Sequence, residues 1–279
     1  MNQLEYLDEC PVCGGRPSLL FARKDGLAYV RCQECDLVYA NPRPSEEAMA
    51  SRLEMWGKQH SARNEHLRDR VRSQRVRVRL LRTYCSSGSL LDFGSGDGSF
   101  LRAAMDAGYR AEGVEKAAAA AEFARSHFGA SIRASDIEDA SLKSGTFDII
   151  TMWDVLEHLH DPVHVVKGLG GLLAEDGSLV VLTPHSRGFS SRVRGPAWWV
   201  FGPQDHLCLF SVRTVEHLLQ RSGLSLRFLA TRDVVPWSPP GQKEDVLSLL
   251  WKGLSVAPGF LRALTALSLG DWIFFVAQR

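Results

Sequence analysis

The chain has 279 residues, of which 33 are lysine or arginine and 32 are aspartate or glutamate, so its formal net charge is +1. This length suffices for one full α/β core with a small additional module, and the near-neutral charge excludes a global attraction to nucleic acid. Residues 1–9 do not form a secretion signal and no apolar run predicts a transmembrane helix, so we expect a cytoplasmic protein.

Two Cys-x-x-Cys pairs lie near the start of the chain. Their four thiols belong to Cys10, Cys13, Cys32 and Cys35. Each pair places two thiolates in one tight turn, and four thiolates complete the tetrahedral shell of a structural Zn²⁺ ion. Without a secretion signal, this spacing favours metal ligands over disulfides or redox cysteines. We therefore predict a zinc ribbon over residues 1–41, with strands near residues 19–21 and 28–30.

Residues 42–88 are predicted to form a linker and the helices that follow it. Two prolines in residues 41–44 disfavour helix and strand, and Ser45 is expected to cap a helix. Eight arginines lie in residues 63–82, among apolar residues at helical spacing. We interpret this stretch as an amphipathic helix that packs on the core and exposes its arginines to solvent. Phosphate binding by part of the arginine face is the alternative.

A glycine-rich turn follows the apolar stretch 90–93 and precedes a helical pattern. Its glycines alternate with other residues and are Gly94, Gly96 and Gly98. Glycine lets the backbone pass close to a ligand. Asp92 and Asp97 lie in or beside the turn; they would repel a pyrophosphate and attract the ammonium and sulfonium groups of S-adenosylmethionine. A dinucleotide turn would also have a different spacing, Gly-x-Gly-x-x-Gly.

This stretch resembles motif I of class I S-adenosylmethionine-dependent methyltransferases. The resemblance implies an α/β domain over residues 89–279, with a seven-stranded Rossmann-like sheet in the order 3-2-1-4-5-7-6 and an antiparallel last strand. Glu115, at the end of strand two, would accept both ribose hydroxyls. Asp136 would meet the adenine amino group and Ile137 would pack on the ring, although Asp136 could instead cap a helix. The implied cofactor-binding residues are Asp92, Gly94, Gly96, Asp97, Glu115, Lys116, Asp136, Ile137, Trp153 and Asp154.

Acidic and histidine side chains follow the fourth predicted strand, residues 147–153. If the next segment is helical, one face carries Asp154, Glu157, His158 and Asp161. The segment resembles that of small-molecule methyltransferases, including quinone O-methyltransferases, in which a Glu/His cluster can hold a divalent cation. The resemblance implies a cation site at Asp154, Glu157 and His158, with Asp154 replacing the usual Glu. Alternatively, these groups cap the helix and support the cofactor loop.

A long segment that we expect to be irregular, residues 184–210, follows the fifth strand. Near its end, Asp205 and His206 begin an Asp-His-x-x-x-Phe-Ser pattern. The pattern resembles a segment of sugar methyltransferases and implies that His206 is the catalytic base. The adjacent carboxylate would raise the imidazole pKa towards neutral. His158 is the second candidate base, and a structural hydrogen bond is the alternative role for His206.

Residues 234–270 form a long apolar stretch between the last two strands. We expect a helical hairpin that closes over an apolar substrate, forms a dimer face or lies on a membrane surface. The ribbon resembles that of methyltransferases of deoxysugar and surface-polysaccharide biosynthesis, whose sugar C-methyltransferases have a further C-terminal domain; we expect this chain to stop at the last strand.

The predicted activity is O- or C-methylation of a small molecule by S-adenosylmethionine. A sugar nucleotide or an apolar biosynthetic intermediate is the expected acceptor. The alternatives are a nucleic-acid methyltransferase and a non-catalytic module that binds the cofactor. The base-methylating motif Asn/Asp-Pro-Pro-Tyr/Phe does not follow strand four, which disfavours nucleic acid as a partner.

Overall fold

The structure is a computed structural model that describes residues 4–61, 66–134, 142–232 and 269–279. Asp136 and Ile137 lie outside these ranges, as does the predicted 234–270 hairpin apart from its last two residues. No helix in the described ranges is long and apolar enough to cross a membrane. The domain boundaries at residues 41/42 and 88/89 stay a prediction.

Strands and helices alternate along the chain, as predicted for an α/β protein. The strands are β1 Leu4–Glu5, β2 Pro17–Lys24, β3 Leu27–Cys32, β4 Val38–Ala40, β5 Arg43–Pro44, β6 Ser89–Phe93, β7 Arg110–Glu115, β8 Ser131–Ala134, β9 Phe147–Trp153, β10 Leu173–Pro184, β11 Cys208–Leu209, β12 Ser225–Arg232 and β13 Trp272–Gln278. The α-helices are α1 Glu46–Ser61, α2 Leu67–Arg82, α3 Ser99–Asp106, α4 Ala118–Phe128, α5 Pro162–Leu172, α6 Phe189–Arg194 and α7 Val212–Ser222.

A seven-stranded sheet lies at the centre of the fold, in the order β12-β13-β10-β9-β6-β7-β8. This order confirms the predicted 3-2-1-4-5-7-6 topology. Strand β13 runs antiparallel to β10 and β12, while the remaining pairs are parallel. Parallel strands are covered by helices on both faces, and Leu90 and Leu91 of β6 are accordingly both fully buried. Because β6, β7 and β9 run parallel, their carboxyl ends meet at one edge of the sheet. Open α/β sheets bind ligands at this edge.

Two apolar layers cover the sheet. On one face, Val166 of α5 and Val215 of α7 belong to the same buried cluster as Val181 of β10. On the other face, Leu81 of α2 and Phe100 of α3 share a cluster with residues of β6 and β10. Helix α7 has a defined cap at each end: Ser211 accepts the Thr214 N–H at its start, and Gly223 ends it with a positive φ of 73°.

The predicted ribbon is not an isolated module. Its strands β2, β3 and β4 form a four-stranded sheet whose fourth strand is β11, from the segment after β10. The pairing places Cys208 opposite Tyr39 and Leu209 opposite Val38. Cys10 and Cys35 belong to the same buried cluster as core residues of the central sheet. The ribbon and the α/β unit therefore share a hydrophobic core.

Two sequence expectations about irregular segments were wrong. Arg43 and Pro44 form β5, which pairs with β1; proline is compatible with such an edge strand because an edge residue needs no ladder donor on its outer side. The 184–210 segment is not irregular throughout, since it contains α6, a 3-10 turn at Gly195–Ala197 and β11. Its strand could not be inferred locally because its partner β4 lies far away in the sequence.

Candidate active site

The glycine turn joins β6 to α3 at the centre of the sheet edge. A Cβ atom on Gly94 would lie 2.5 Å from Cγ2 of Val155, and one on Gly98 would lie 2.5 Å from Cβ of Ala124. Both glycines also have positive φ, of 74° and 77°, so packing and backbone conformation both require glycine there. Around Gly96, by contrast, the nearest atom to a built Cβ is Cη2 of Trp56, 3.5 Å away. The backbone at Gly96 is thus the part of the turn that a ligand can approach.

Glu115, at the end of β7, borders this turn as predicted for a ribose-binding carboxylate. Its two oxygens accept the backbone N–H groups of Gly96 and Ala117, both at 2.8 Å. Burial raises the pKa of Glu115, and the backbone N–H groups of Ala117, Gly96 and Lys116 oppose that effect. A carboxylate oxygen has two acceptor positions, so each oxygen can still accept a hydroxyl.

Asp92 and Asp97 occupy different environments on either side of the turn. Asp92 is buried and accepts the Thr151 hydroxyl at 2.6 Å; burial raises its pKa to about 7. Asp97 accepts the Ser99 N–H at 3.0 Å at the start of α3 and pairs with Arg70 at 3.1 Å. The structure therefore adds a capping role and an ion pair to the predicted cofactor role of Asp97.

The end of β9 brings Trp153 and Asp154 to the same edge. Asp154 has a left-handed φ of 57°; its carboxylate accepts a hydrogen bond from Arg77 and another from Nε1 of Trp272, the latter at 3.1 Å. The guanidinium of Arg77 lies 5.5 Å from the Trp153 ring centroid. Within the described ranges, the buried Nε1 of Trp153 has no hydrogen-bond partner. Buried donors are normally hydrogen-bonded, so this N–H is a candidate contact for a bound ligand.

The arginine-rich helix α2 is only partly solvated, so our interpretation of it was wrong for two residues. Arg70 pairs with Asp97 of the glycine turn, and Arg77 pairs with Asp154 after β9. Both arginine side chains are about four-fifths buried, with exposures of 20% and 19%. They lie seven residues apart, which places them on one helix face. Their spacing was visible in the sequence, but the acids that they contact could be identified only from the fold.

The predicted helical face at residues 154–161 is also wrong. The left-handed Asp154 interrupts the backbone, a 3-10 turn spans Leu156–His158, and Asp161 caps α5 by accepting the His164 N–H at 2.9 Å. Pro162 begins α5, where a proline is favoured because it has no N–H to satisfy. Asp154 therefore does not join Glu157 and His158 in one ligand set.

His206, and not Asp154, is the third member of the possible ligand set with Glu157 and His158. The ligand atoms of Glu157, His158 and His206 all lie within 4.8 Å of one another. Glu157 is buried and accepts the Thr183 hydroxyl at 2.9 Å, and burial raises its pKa well above the usual value. The two imidazole centroids are 4.8 Å apart. One carboxyl group and two imidazoles thus converge beside the end of β9.

The backbone orients both imidazoles. Nδ1 of His158 lies 2.7 Å from the Asp205 carbonyl oxygen, and Nδ1 of His206 lies 2.6 Å from the Val200 carbonyl oxygen. A carbonyl oxygen can only accept, so we assign the proton to Nδ1 and leave the Nε2 lone pair of each ring free. Either Nε2 can take a proton or hold a metal ion.

Asp205 does not tune His206 as the sequence suggested. Its half-exposed carboxylate pairs with Arg52 of α1 at 2.8 Å. Burial lowers the pKa of His206 to about 4, and the favourable charge of Asp205 does not offset that effect. The expectation that Asp205 raises this pKa towards neutral is wrong because desolvation of the imidazolium dominates.

The ribbon holds the backbone of His206. The hydroxyl of Tyr29, a fully buried residue of β3, donates to the His206 carbonyl oxygen at 2.6 Å. The Trp199 ring lies 6.1 Å from the His206 ring and 6.5 Å from the Trp272 ring, measured between centroids. Sequence reasoning missed Tyr29, Arg52 and Val200, since no local pattern distinguishes them.

The four ribbon cysteines come together as predicted. Sγ of Cys10 lies 3.5 Å from Sγ of Cys35, and Sγ of Cys13 lies 3.4 Å from Sγ of Cys32. A tetrahedral Zn²⁺ site with bonds of about 2.3 Å has sulfur–sulfur distances of about 3.8 Å, so the cluster fits zinc. The hydrogen bond between the two thiols lowers the pKa of Cys10 and raises that of Cys35, so this pair shares one proton, and a bound metal ion would displace it.

Comparison with known proteins identifies a family for most of the α/β unit. Residues 63–227 match the family model described as a methyltransferase domain. Two curated relatives, both ubiquinone biosynthesis O-methyltransferases of Actinobacillus pleuropneumoniae, are 34% identical (serotype 5b) and 31% identical (serotype 7) over 104 residues. Each alignment covers 34% of this chain and 44% of the relative, so the chain spans less than half the length of these relatives.

Solved structures share the fold at low sequence identity. A possible histamine N-methyltransferase from Thermotoga maritima gives a TM-score of 0.56 at 18% identity, with 82% of this chain and 99% of that chain covered. The complex of a methyltransferase with the Trm112 methyltransferase activator from Haloferax volcanii gives 0.58 at 14% identity, with 81% and 96% covered.

Proposed function

The chain belongs to the methyltransferase-domain family, and we propose that it is an S-adenosylmethionine-dependent methyltransferase that methylates a small molecule on oxygen or carbon in the cytoplasm. The observation that carries this proposal is the convergence of Glu157, His158 and His206 beside the edge where the cofactor residues meet. Two imidazole Nε2 atoms there are free to act on an acceptor.

The residues around the glycine turn fit the cofactor. Glu115 would accept its ribose hydroxyls, and the orphaned Trp153 Nε1 would donate to it. The other residues that we assign to this site are Asp92, Gly94, Gly96, Asp97, Lys116, Asp136, Ile137 and Asp154. When bound, S-adenosylmethionine supplies an electrophilic methyl group on a sulfonium.

His206 is the proposed base. Its Nε2 would take the proton of the acceptor hydroxyl or carbon acid as the acceptor oxygen or carbon bonds to the methyl group that the cofactor would supply, with the neutral thioether as the leaving group. Because its pKa is lowered, His206 is already in the basic form at neutral pH. Positioned bases contribute a factor of about 10²–10⁴, and the lowered pKa of His206, which weakens it as a proton acceptor, favours the lower end of that range. His158 is the second candidate base, and Asp205 acts as a positioning residue through its backbone.

A divalent cation at the same cluster is the second candidate mechanism, favoured by the short separations of the three ligand atoms. Glu157, His158 and His206 would supply one oxygen and two nitrogens, a donor set that suits transition metals. Asp154 is absent from this set because Arg77 and Trp272 hold its carboxylate. A bound cation would lower the pKa of an acceptor hydroxyl.

The surroundings of His206 support an acceptor with a flat apolar part. The rings of Trp199 and Trp272 lie beside His206 and Asp154, and aromatic rings of this kind stack on planar ligands. The names of the curated relatives point the same way, since those proteins act in ubiquinone biosynthesis. Whether the acceptor is such an apolar intermediate or a sugar nucleotide is decided by experiment.

The test follows labelled methyl transfer from S-adenosylmethionine into three fractions of a cell extract: small molecules, nucleic acids and proteins. We expect label in the small-molecule fraction, reduced about 10²–10⁴-fold by His206→Ala, with unchanged affinity for S-adenosylhomocysteine. His127→Ala is the matched control, because His127 is exposed on α4, away from the cluster. Label in nucleic acid would contradict the substrate class, and full turnover by His206→Ala would remove His206 from the mechanism.

A further inference from the structure

A cleft of about 660 Å³ lies where the ribbon meets the end of β10 and the start of α7. The side chains that matter for its chemistry are Asp36, His185, Arg187, Arg192, Arg213 and Glu216. Neither the glycine turn nor the Glu157, His158 and His206 cluster lines it. The volume is in the range of small-ligand sites, about 300–1,000 Å³.

Positive charge is in excess along this cleft. Asp36 fixes Arg187 through two hydrogen bonds, one of them from Nη2 at 2.9 Å. Within the described ranges, Arg192 and Arg213 form no ion pair, and Glu216 is the remaining acid in the lining. The two guanidinium groups and the single remaining acid leave a net positive charge that an anionic ligand would neutralise.

A buried histidine gives the cleft a second kind of contact. His185 is 1% exposed, and its Nδ1 lies 2.9 Å from the Gly270 carbonyl oxygen. That carbonyl can only accept, so we assign the proton to Nδ1 and the lone pair to Nε2. Nε2 has no hydrogen-bond partner in the part of the chain that the structure describes. Burial and the nearby Arg192 and Arg187 keep the ring neutral, with a pKa of about 4.

We propose that this cleft is a second ligand site, which binds a small hydroxylated phosphate ester. Arg192 and Arg213 hold the phosphoryl oxygens, for which the guanidinium fork is suited, and Nε2 of His185 accepts a hydrogen bond from a ligand hydroxyl. Arg213 also lies in the first turn of α7, where the helix dipole favours an anion. Nε2 of the neutral His185 accepts a hydrogen bond, whereas Arg192 and Arg213 are cationic. Together they favour a ligand that carries both an anionic group and a hydroxyl donor.

Binding is tested on the full-length, zinc-loaded protein in phosphate-free buffer. The probes are ribose 5-phosphate, inorganic phosphate, ribose and gluconate, measured by calorimetry with saturating S-adenosylhomocysteine to occupy the cofactor site. We expect ribose 5-phosphate to bind more tightly than inorganic phosphate, and ribose not to bind. Gluconate binding as tightly as ribose 5-phosphate would overturn the assignment to a phosphate ester.

Variants locate the site. Arg192 and Arg213 are exposed at the rim of the cleft. Arg192→Gln and Arg213→Gln should each weaken ribose 5-phosphate binding about tenfold or more, as expected when a charge-assisted contact is lost. Arg75→Gln removes an exposed arginine of α2 and should leave binding unchanged. His185→Asn should abolish the preference for ribose 5-phosphate over inorganic phosphate. Unchanged binding in both cleft arginine variants, with S-adenosylhomocysteine still bound, would overturn the proposal.

Discussion

Replacing Glu115 by glutamine tests the central assignment of the cofactor site. Both carboxylate oxygens of Glu115 accept a backbone N–H, from Gly96 and from Ala117, and each retains one position for a hydroxyl. Glutamine keeps one oxygen acceptor and replaces the other by an NH₂ group, which can only donate. One backbone donor then loses its partner, and one ribose hydroxyl loses its acceptor.

The size of each effect follows from the contacts that are lost. A hydrogen bond to a charged group contributes about 1.5–3 kcal/mol. Loss of one such contact to the ligand should therefore weaken cofactor affinity about 10–150-fold, at 1.4 kcal/mol per factor of ten. Loss of the backbone contact should lower the free energy of unfolding by about 1–3 kcal/mol. The two losses are separable because one is measured by binding and the other by unfolding.

Calorimetry with S-adenosylhomocysteine measures the affinity, and urea unfolding without ligand measures the stability. Glu112→Gln is the matched control on the same strand, since Glu112 forms a partly exposed pair with Arg133 at 3.5 Å, away from the turn. It should change the affinity by less than about twofold. An unchanged affinity in a folded Glu115→Gln variant would show that Glu115 does not contact the cofactor, and the assignment of the site edge would be wrong.

Three further predictions concern the ribbon, Asp92 and Tyr29. Elemental analysis should find about one Zn²⁺ per chain, and Cys32→Ser should lose it and destabilise the ribbon; a metal-free wild type with a folded ribbon would contradict this. Because the folded-state pKa of Asp92 is raised to about 7, the folded state binds this proton more tightly than the unfolded chain. The free energy of unfolding should then fall, on the order of 4 kcal/mol, as pH rises from about 4 to about 7, and Asp92→Asn should remove that fall in pH-dependent urea unfolding. Tyr29→Phe should cost about 1 kcal/mol of stability and slow methyl transfer severalfold at unchanged cofactor affinity, whereas equal turnover would show that this hydrogen bond does not position His206.

The parts of the fold that were predictable are those encoded locally. The glycine turn and the Cys-x-x-Cys pairs each combine a short spacing with one physical requirement, and the structure places both as expected. The sheet order followed from the family resemblance.

The errors arise where distant residues decide the outcome. A helix was a reasonable expectation after β9, but the left-handed Asp154 is fixed by Arg77 and by Trp272, more than a hundred residues away. His206 was expected to gain basicity from its neighbour Asp205, yet burial lowers its pKa instead. Neither the burial of one side chain nor the partner of another is a property of the local sequence.

The position of the ribbon gives the zinc cluster a second role. Strand β11 ends the segment that carries His206, and it pairs with β4 of the ribbon, while Tyr29 of β3 donates to the His206 backbone. The ribbon shares the core of the α/β unit, and a Zn²⁺ ion at the four cysteines would add metal-ligand bonds to that stabilisation. A bound ion would therefore also stabilise β3 and β4, the strands that contact the His206 segment. The ribbon thus borders the cluster of Glu157, His158 and His206, because the segment that carries His206 ends in a strand of the ribbon sheet.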